Sequence, residues 1–317
     1  MTRLATASST RALTKTLKPA VARRTPPPGD GSWIPGMVAG ASGVRRYRLY
    51  RPPGIAFGER LPLMVMLHGC GQDSNSFATS TRMNRLAMRE RFLVLYPEQD
   101  RLANAQGCWN WFDTKTGRAF GEAALIMQAI DQVCLMYPTD KARVAVAGLS
   151  AGASMAALLV TRHPERFKAV VMHSGIPPGT AHSSLSALGA MHGHRPTSPL
   201  TATPGTMEAV WPPLLVIHGS SDTVVSPKNG HSAVDLWAHA AGAQASQARS
   251  MQRGKRYPMS VTDFKRKGST VATLVEVNGL AHAWSGGAAS KAFSDGKGPD
   301  ASRMAWAFAA RQFRADA

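Results

Sequence analysis

Three kinds of side chain in this sequence can share one reaction. Ser150 lies in Gly148-Leu149-Ser150-Ala151-Gly152, Asp222 in His218-Gly219-Ser220-Ser221-Asp222, and His282 in Gly279-Leu280-Ala281-His282-Ala283-Trp284. A serine hydroxyl is a poor nucleophile alone. An imidazole beside it can take its proton, and a carboxylate behind the imidazole fixes the tautomer and stabilises the imidazolium. An unperturbed imidazole pKa of about 6.5 suits a general base at neutral pH. The order Ser, Asp, His along the chain is one in which this constellation occurs. The chemistry would be attack on a carbonyl carbon, passing through an acyl-enzyme. Of the ten histidines, His163, His192, His194, His231 and His239 sit in polar or helical contexts and read as surface residues.

Such a serine needs a turn that presents it and donors for the oxyanion. The apolar run before Gly148 is β-prone, and the small and apolar residues from Ala153 to Val160 suit a buried helix. Gly-x-Ser-x-Gly between strand and helix is the setting of a nucleophile elbow, where glycines let the two backbones pass closely. Ser150 then stands at a helix N-terminus, which favours developing negative charge. His68-Gly69-Cys70-Gly71 directly follows the apolar run Leu61–Leu67. A loop after an early strand is where the second oxyanion donor is expected, so the N–H groups of Cys70 and Ala151 are the pair.

The segment Gly107-Cys108-Trp109-Asn110-Trp111-Phe112-Asp113 concentrates rings in a chain with 7% aromatic residues. Two readings stay open: a core cluster, or a substrate-binding wall of Trp109 and Trp111 joined by Trp284. Of the three cysteines, Cys134 lies on an apolar helix face and reads as a buried thiol. Cys70 and Cys108 both fall in loops near the candidate site. A disulfide between them would pin one loop against the other, whereas a reducing compartment would leave them as thiols.

The positioning elements follow from the pattern. Val44–Tyr50 alternates apolar and basic residues, as an edge strand with one buried face does. Leu61–Leu67 is continuously apolar and reads as a central strand, and further strands are expected at Phe92–Pro97, Ala169–His173, Leu214–His218 and Thr273–Val277. Helices are expected over 121–136 and Ala301–Phe313. Strands alternating with helices imply an α/β fold with a mostly parallel sheet covered on both faces.

The chain has 317 residues, 44% hydrophobic and 18% charged, ordinary for a globular protein. Its net charge of +18 is not ordinary: residues 1–30 carry six Lys/Arg and one acid, leaving +13 on the rest. Such a balance predicts attraction to anionic surfaces, polyanions or polymer granules, without any motif for specific nucleic-acid recognition. No apolar run reaches the roughly 20 residues of a transmembrane segment. Residues 1–32, with Thr25-Pro26-Pro27-Pro28-Gly29, read as a flexible basic leader and proline-rich linker, and 33–317 as one catalytic domain. Lys15, Lys18 and Arg23 interrupt any signal-peptide h-region, so a cytoplasmic chain is expected, with an extracellular one as the alternative.

Five blocks together carry a resemblance. His68-Gly69-Cys70 with Gln72, Cys108-Trp109-Asn110-Trp111, Gly148–Gly152, His218–Asp222 and Gly279–Trp284 with Ser285-Gly286-Gly287 resemble the polyhydroxybutyrate depolymerase-like esterases, from about Val44 to Phe313. The resemblance implies an α/β-hydrolase fold, carboxylic ester hydrolysis without cofactor or metal, a Ser150–His282–Asp222 triad, and Cys70 and Ala151 as backbone donors. Secreted polymer depolymerases of this family usually carry a signal peptide and a polymer-binding domain. With neither evident, amorphous polyester or short hydroxyalkanoate esters are the expected substrates. Feruloyl and acetylxylan esterases share these motifs and remain the alternative. A non-catalytic granule- or polyanion-binding protein is the alternative of another class, and acyl transfer to an alcohol is a third.

Overall fold

The computed structural model describes residues 29–200 and 211–315, so nearly all of the expected leader lies outside the described residues. One long mixed sheet organises the fold. Its parallel centre runs in the order β4 (Leu93–Glu98), β3 (Leu61–Leu67), β5 (Thr139–Leu149), β6 (Ala169–His173), β7 (Leu214–Gly219) and β11 (Ser269–Val277). Antiparallel strands extend both sides: β2 (Gly43–Arg51) and β1 (Ser32–Gly40) beyond β4, and β10 (Met259–Arg266) beyond β11. The short β8 (Gln244–Ala245) and β9 (Arg249–Met251) pair with β10.

Successive side chains of a strand point to opposite faces, and the core divides accordingly. Leu63, Val65 and Leu67 of β3 join one apolar cluster while Met64 and Met66 join the other. Leu214 and Val216 of β7 oppose Leu215 and Ile217 in the same way. The first face is covered by α3 (Arg118–Met136), α4 (Ala151–Arg162), α5 (Ser184–Met191) and α6 (Lys228–Ala241). The second carries α1 (Ser74–Thr81), α2 (Met83–Glu90) and α7 (Ala301–Ala315). This two-sided burial is why those strands read as unbroken apolar runs. By length and composition α3 would pass as a membrane span, but its buried stripe, including Ile126, Ile130 and Val133, packs on the sheet.

One expectation needs correction, and one strand was not foreseen. Val44–Tyr50 is not at the edge, because β1 pairs with β2 outside it. Its buried face is the expected one at Tyr47 and Leu49, with two departures at the start of the strand: Arg45 is buried and Val44 is exposed. The strand before the candidate histidine is one half of the β10–β11 hairpin, whose first half went unrecognised.

Ser150 has φ 56° and ψ −121° between β5 and α4, a left-handed value that a side chain bearing a Cβ adopts only under constraint. The constraint is backbone packing. A Cβ on Gly148 would lie 2.3 Å from the Gly152 backbone, and one on Gly152 only 2.1 Å from the Leu67 carbonyl oxygen. Gly152→Ala must therefore push α4 off β3. The expected outcome is a loss of at least about 3 kcal/mol of stability, the upper range for overpacking, read as a lower denaturant midpoint or as insoluble protein.

Candidate active site

The C-terminal ends of β5, β6 and β7, with the loop after β11, bring the chemical groups to one rim of the sheet, where α/β sheets collect their functional residues. Ser150 directly follows β5, and its N–H donates to the carbonyl of His173, the last residue of β6 (2.9 Å). Asp222 follows β7, and His282 follows β11. His282 Nδ1 donates to Asp222 Oδ2 at 2.8 Å, which leaves Nε2 as the acceptor nitrogen. Ser150 and His282 remain partly exposed, while the Asp222 side chain is buried.

Asp222 is densely satisfied. Its Oδ1 accepts from the Val224 and Val225 amides at 3.0 and 2.9 Å. His218 Nε2, which also donates to the Val225 carbonyl (2.9 Å), lies 3.4 Å from Oδ2. Burial alone would raise the Asp222 pKa. The His218 and His282 bonds, the His282 charge and the Val225 amide outweigh burial and hold the carboxyl well below the usual range. Asp222 is thus a carboxylate at any working pH.

His173 was not recognised in the sequence as part of this region, where it read only as the end of a buried strand. Its ring is fully buried and stacks on Trp284, centroids 5.1 Å apart. Its Nε2 accepts the Ser285 N–H at 3.0 Å. One residue therefore ties the Ser150 turn, through its backbone, to the segment bearing His282, through its side chain. Burial, then the nearby His218 and His282, lower its pKa to about 3. The short β12 (Trp284–Ser285) pairs with β13 (Ser294–Asp295) and anchors the same segment.

The His68–Gly71 turn lies beside the serine: a Cβ on Gly69 would be 3.6 Å from the Ser150 Cβ. The Gly69 N–H donates to Gln72 Oε1 (2.9 Å) and the Gly71 N–H to the Gln106 carbonyl (2.9 Å). Among the described residues the Cys70 N–H between them is not engaged. Ala151 is the first residue of α4, so its N–H has no intrahelical acceptor.

A buried polar network supports this turn from below. His68 Nδ1 donates to the Gly69 carbonyl (2.8 Å), and Nε2 accepts from the Gln99 N–H (3.1 Å). Burial chiefly lowers the His68 pKa, keeping the ring neutral in that tautomer. Arg45 donates to the Glu98 carbonyl and to Gln99 Oε1. Gln99 Nε2 and Asn110 Nδ2 both donate to Glu122 Oε1, at 2.7 and 2.6 Å. Cys70 and Cys108 form a disulfide that joins the turn to the same segment, and Cys134 is a buried free thiol.

Of the two readings of the tryptophans, the structure follows the core cluster and not the cleft wall. Trp109 has no exposed surface; its Nε1 donates to the His68 carbonyl (3.0 Å) and the Arg45 guanidinium lies over its ring. Trp284 is equally buried between His173 and Phe77, with Nε1 on Ser302 Oγ (3.1 Å). Trp111 is 7% exposed and packs in the core, edge-on to the half-buried Phe112. Large rings stabilise most when fully buried with their N–H satisfied, and these three brace loops instead of facing a cleft.

Residues 45–254 match the family model described as Esterase PHB depolymerase. The chain belongs to this family. It is 33% identical over 191 residues to poly(3-hydroxyalkanoate) depolymerase C of Paucimonas lemoignei, covering 55% of this chain and 44% of that protein. To acetylxylan esterase A of Talaromyces purpureogenus it is 26% identical over 66% of this chain and 57% of that one. The chain thus spans about half the length of these curated relatives. An acetyl xylan esterase from Aspergillus awamori superposes with a TM-score of 0.64 at 20% identity, over 80% of this chain and 94% of that one. The fold is that of the α/β-hydrolases.

The neutral, buried His173 makes an acid-stability prediction. The unfolded imidazole takes up its proton below pH of about 6.5, whereas the folded one resists until about 3. Its contribution is fully present above the upper value and is lost as pH falls between the two. His173→Gln, which keeps an acceptor for Ser285, should remove about 2 kcal/mol of the stability loss between about pH 7 and pH 5. Urea denaturation at the two pH values measures it.

Proposed function

We propose that this chain is a serine carboxylic-ester hydrolase in which Ser150, His282 and Asp222 form the catalytic triad. The observation that carries this reading is the strained Ser150 turn at a helix N-terminus, on the same rim as the His282–Asp222 hydrogen bond. Ser150 Oγ attacks the ester carbonyl while His282 Nε2 takes its proton. Asp222 holds Nδ1–H and stabilises the imidazolium. The N–H groups of Cys70 and Ala151 receive the oxyanion, and each such donor contributes about 10²–10³ in turnover. His282 then returns the proton to the leaving alcohol, and water releases the acid from the acyl-enzyme.

The substrate we propose is a short hydroxyalkanoate ester or amorphous polyester. The 33% identity with the depolymerase of Paucimonas lemoignei supports this over an acetylated or feruloylated sugar. A panel of 3-hydroxybutyrate oligomers, acetylated xylan and methyl ferulate ranks the acyl groups. Turnover of the sugar esters alone would replace the proposed substrate and leave the mechanism standing.

Ser150→Ala should lower kcat for p-nitrophenyl butyrate by at least about 10³-fold. Its circular dichroism should stay unchanged, and labelling by a fluorophosphonate probe should be lost. Undiminished hydrolysis by the folded variant would reject the triad. Asp222→Asn should also cost at least about 10³-fold, because the amide favours the wrong imidazole tautomer.

A further inference from the structure

Away from this rim, five arginines line one cavity of about 630 Å³: Arg82, Arg85, Arg89, Arg256 and Arg303. Arg82 stands at the α1–α2 junction, and Arg85 and Arg89 follow at helical spacing, so the three form one exposed stripe. Arg303, from the first turn of α7, and Arg256, from the loop after β9, complete the lining.

The charge is poorly compensated. Asp30 and Asp300 are the carboxylates that line the cavity. Asp300 is already committed: Oδ1 accepts the Arg303 N–H at 3.0 Å, and Oδ2 lies 3.9 Å from Arg303 Nε. Arg256 is fixed by donating to the Gly298 carbonyl. No ion pair among the described residues engages Arg82, Arg85 or Arg89. Like charges one turn apart on a helix repel, so the stripe costs stability unless an anion meets it. Every cation in the lining is an arginine, whose planar fork suits bidentate contact with phosphate oxygens better than an ammonium does.

Two observations narrow the anion. Gly29 lines the cavity, and the 28 residues that join the fold there contain six Lys/Arg and no Asp or Glu. Cationic residues thus also precede Gly29 in the sequence, and five arginines in one lining match an extended polyanion better than a single ion. The lining also holds no aromatic side chain, so nucleobases would find nothing to stack on.

We propose that this cavity binds a linear chain of phosphate groups, as in inorganic polyphosphate. Binding is separate from the hydrolytic site and does not depend on its chemistry. The test uses the full chain and fluorescence-detected binding of inorganic polyphosphate. Arg85→Glu with Arg89→Glu is compared with Lys265→Glu and Arg266→Glu on the exposed end of β10, which changes net charge by the same amount. The cavity pair should weaken binding at least about tenfold, the loss of one or more charge-assisted contacts, and the β10 pair by less than about threefold, as expected for screened surface charge. Both should keep wild-type circular dichroism and p-nitrophenyl butyrate hydrolysis. Equal weakening by the two pairs, or none by either, would overturn the site in favour of diffuse basicity. Competition by orthophosphate, or by a single-stranded oligonucleotide, at matched phosphate concentration and with equal potency would overturn the extended-chain assignment.

Discussion

The approach of one backbone to another, where the first turn of α4 lies against the end of β3, sets the rest of the structure. Gly152 has room for nothing larger than hydrogen beside the Leu67 carbonyl. That contact holds the left-handed Ser150 turn, which has no conformational reason to persist alone. It also brings the Ala151 amide and the Cys70 amide to the same neighbourhood, since His68–Gly71 continues directly from β3. The strain at one serine is thus set against two apolar layers, in which β3, the second half of β5 (Val144–Leu149) and most of α4 are buried.

Polar groups, rather than apolar ones, fix the loops at that rim. Arg45, Gln99, Glu122 and Asn110 are all nearly inaccessible, and each carries hydrogen bonds to another or to loop backbone. Removing such charges from water is costly and seldom adds net stability. What the network provides is a single geometry: Gln99 sets the His68 tautomer, His68 sets the Gly69 carbonyl, and Trp109 braces the turn from beneath. The opposite side of the rim follows the same logic, with His173 bridging to Ser285.

Much of this was legible in the residues. Leu61–Leu67 and Ala169–His173 coincide with strands because burial on both faces leaves an unbroken apolar run. The Ser, Asp, His order placed Asp222 and His282 in direct contact. What stayed hidden depends on tertiary context. β1 and β10 are partly exposed, and their mixed composition gives no clean alternation. Arg45 read as a solvent-facing residue because a lone arginine in a basic strand gives no sign of its buried partners Gln99 and Trp109. His173 lacked any motif. The tryptophans carried the right composition for a cleft wall, but nothing in a sequence says whether a ring faces a void or fills one.

The bridge between Cys70 and Cys108 spans 38 residues of chain and ends on the turn that holds a proposed oxyanion donor. Opening it would leave both apolar layers and the His282–Asp222 contact untouched, while releasing the one loop whose amide must stand still. A dithiol reagent would then inhibit the proposed hydrolysis, a reaction in which no sulphur takes part. Its effect would be reversed by air, and the loss of a cross-link across 38 residues would also lower the melting temperature.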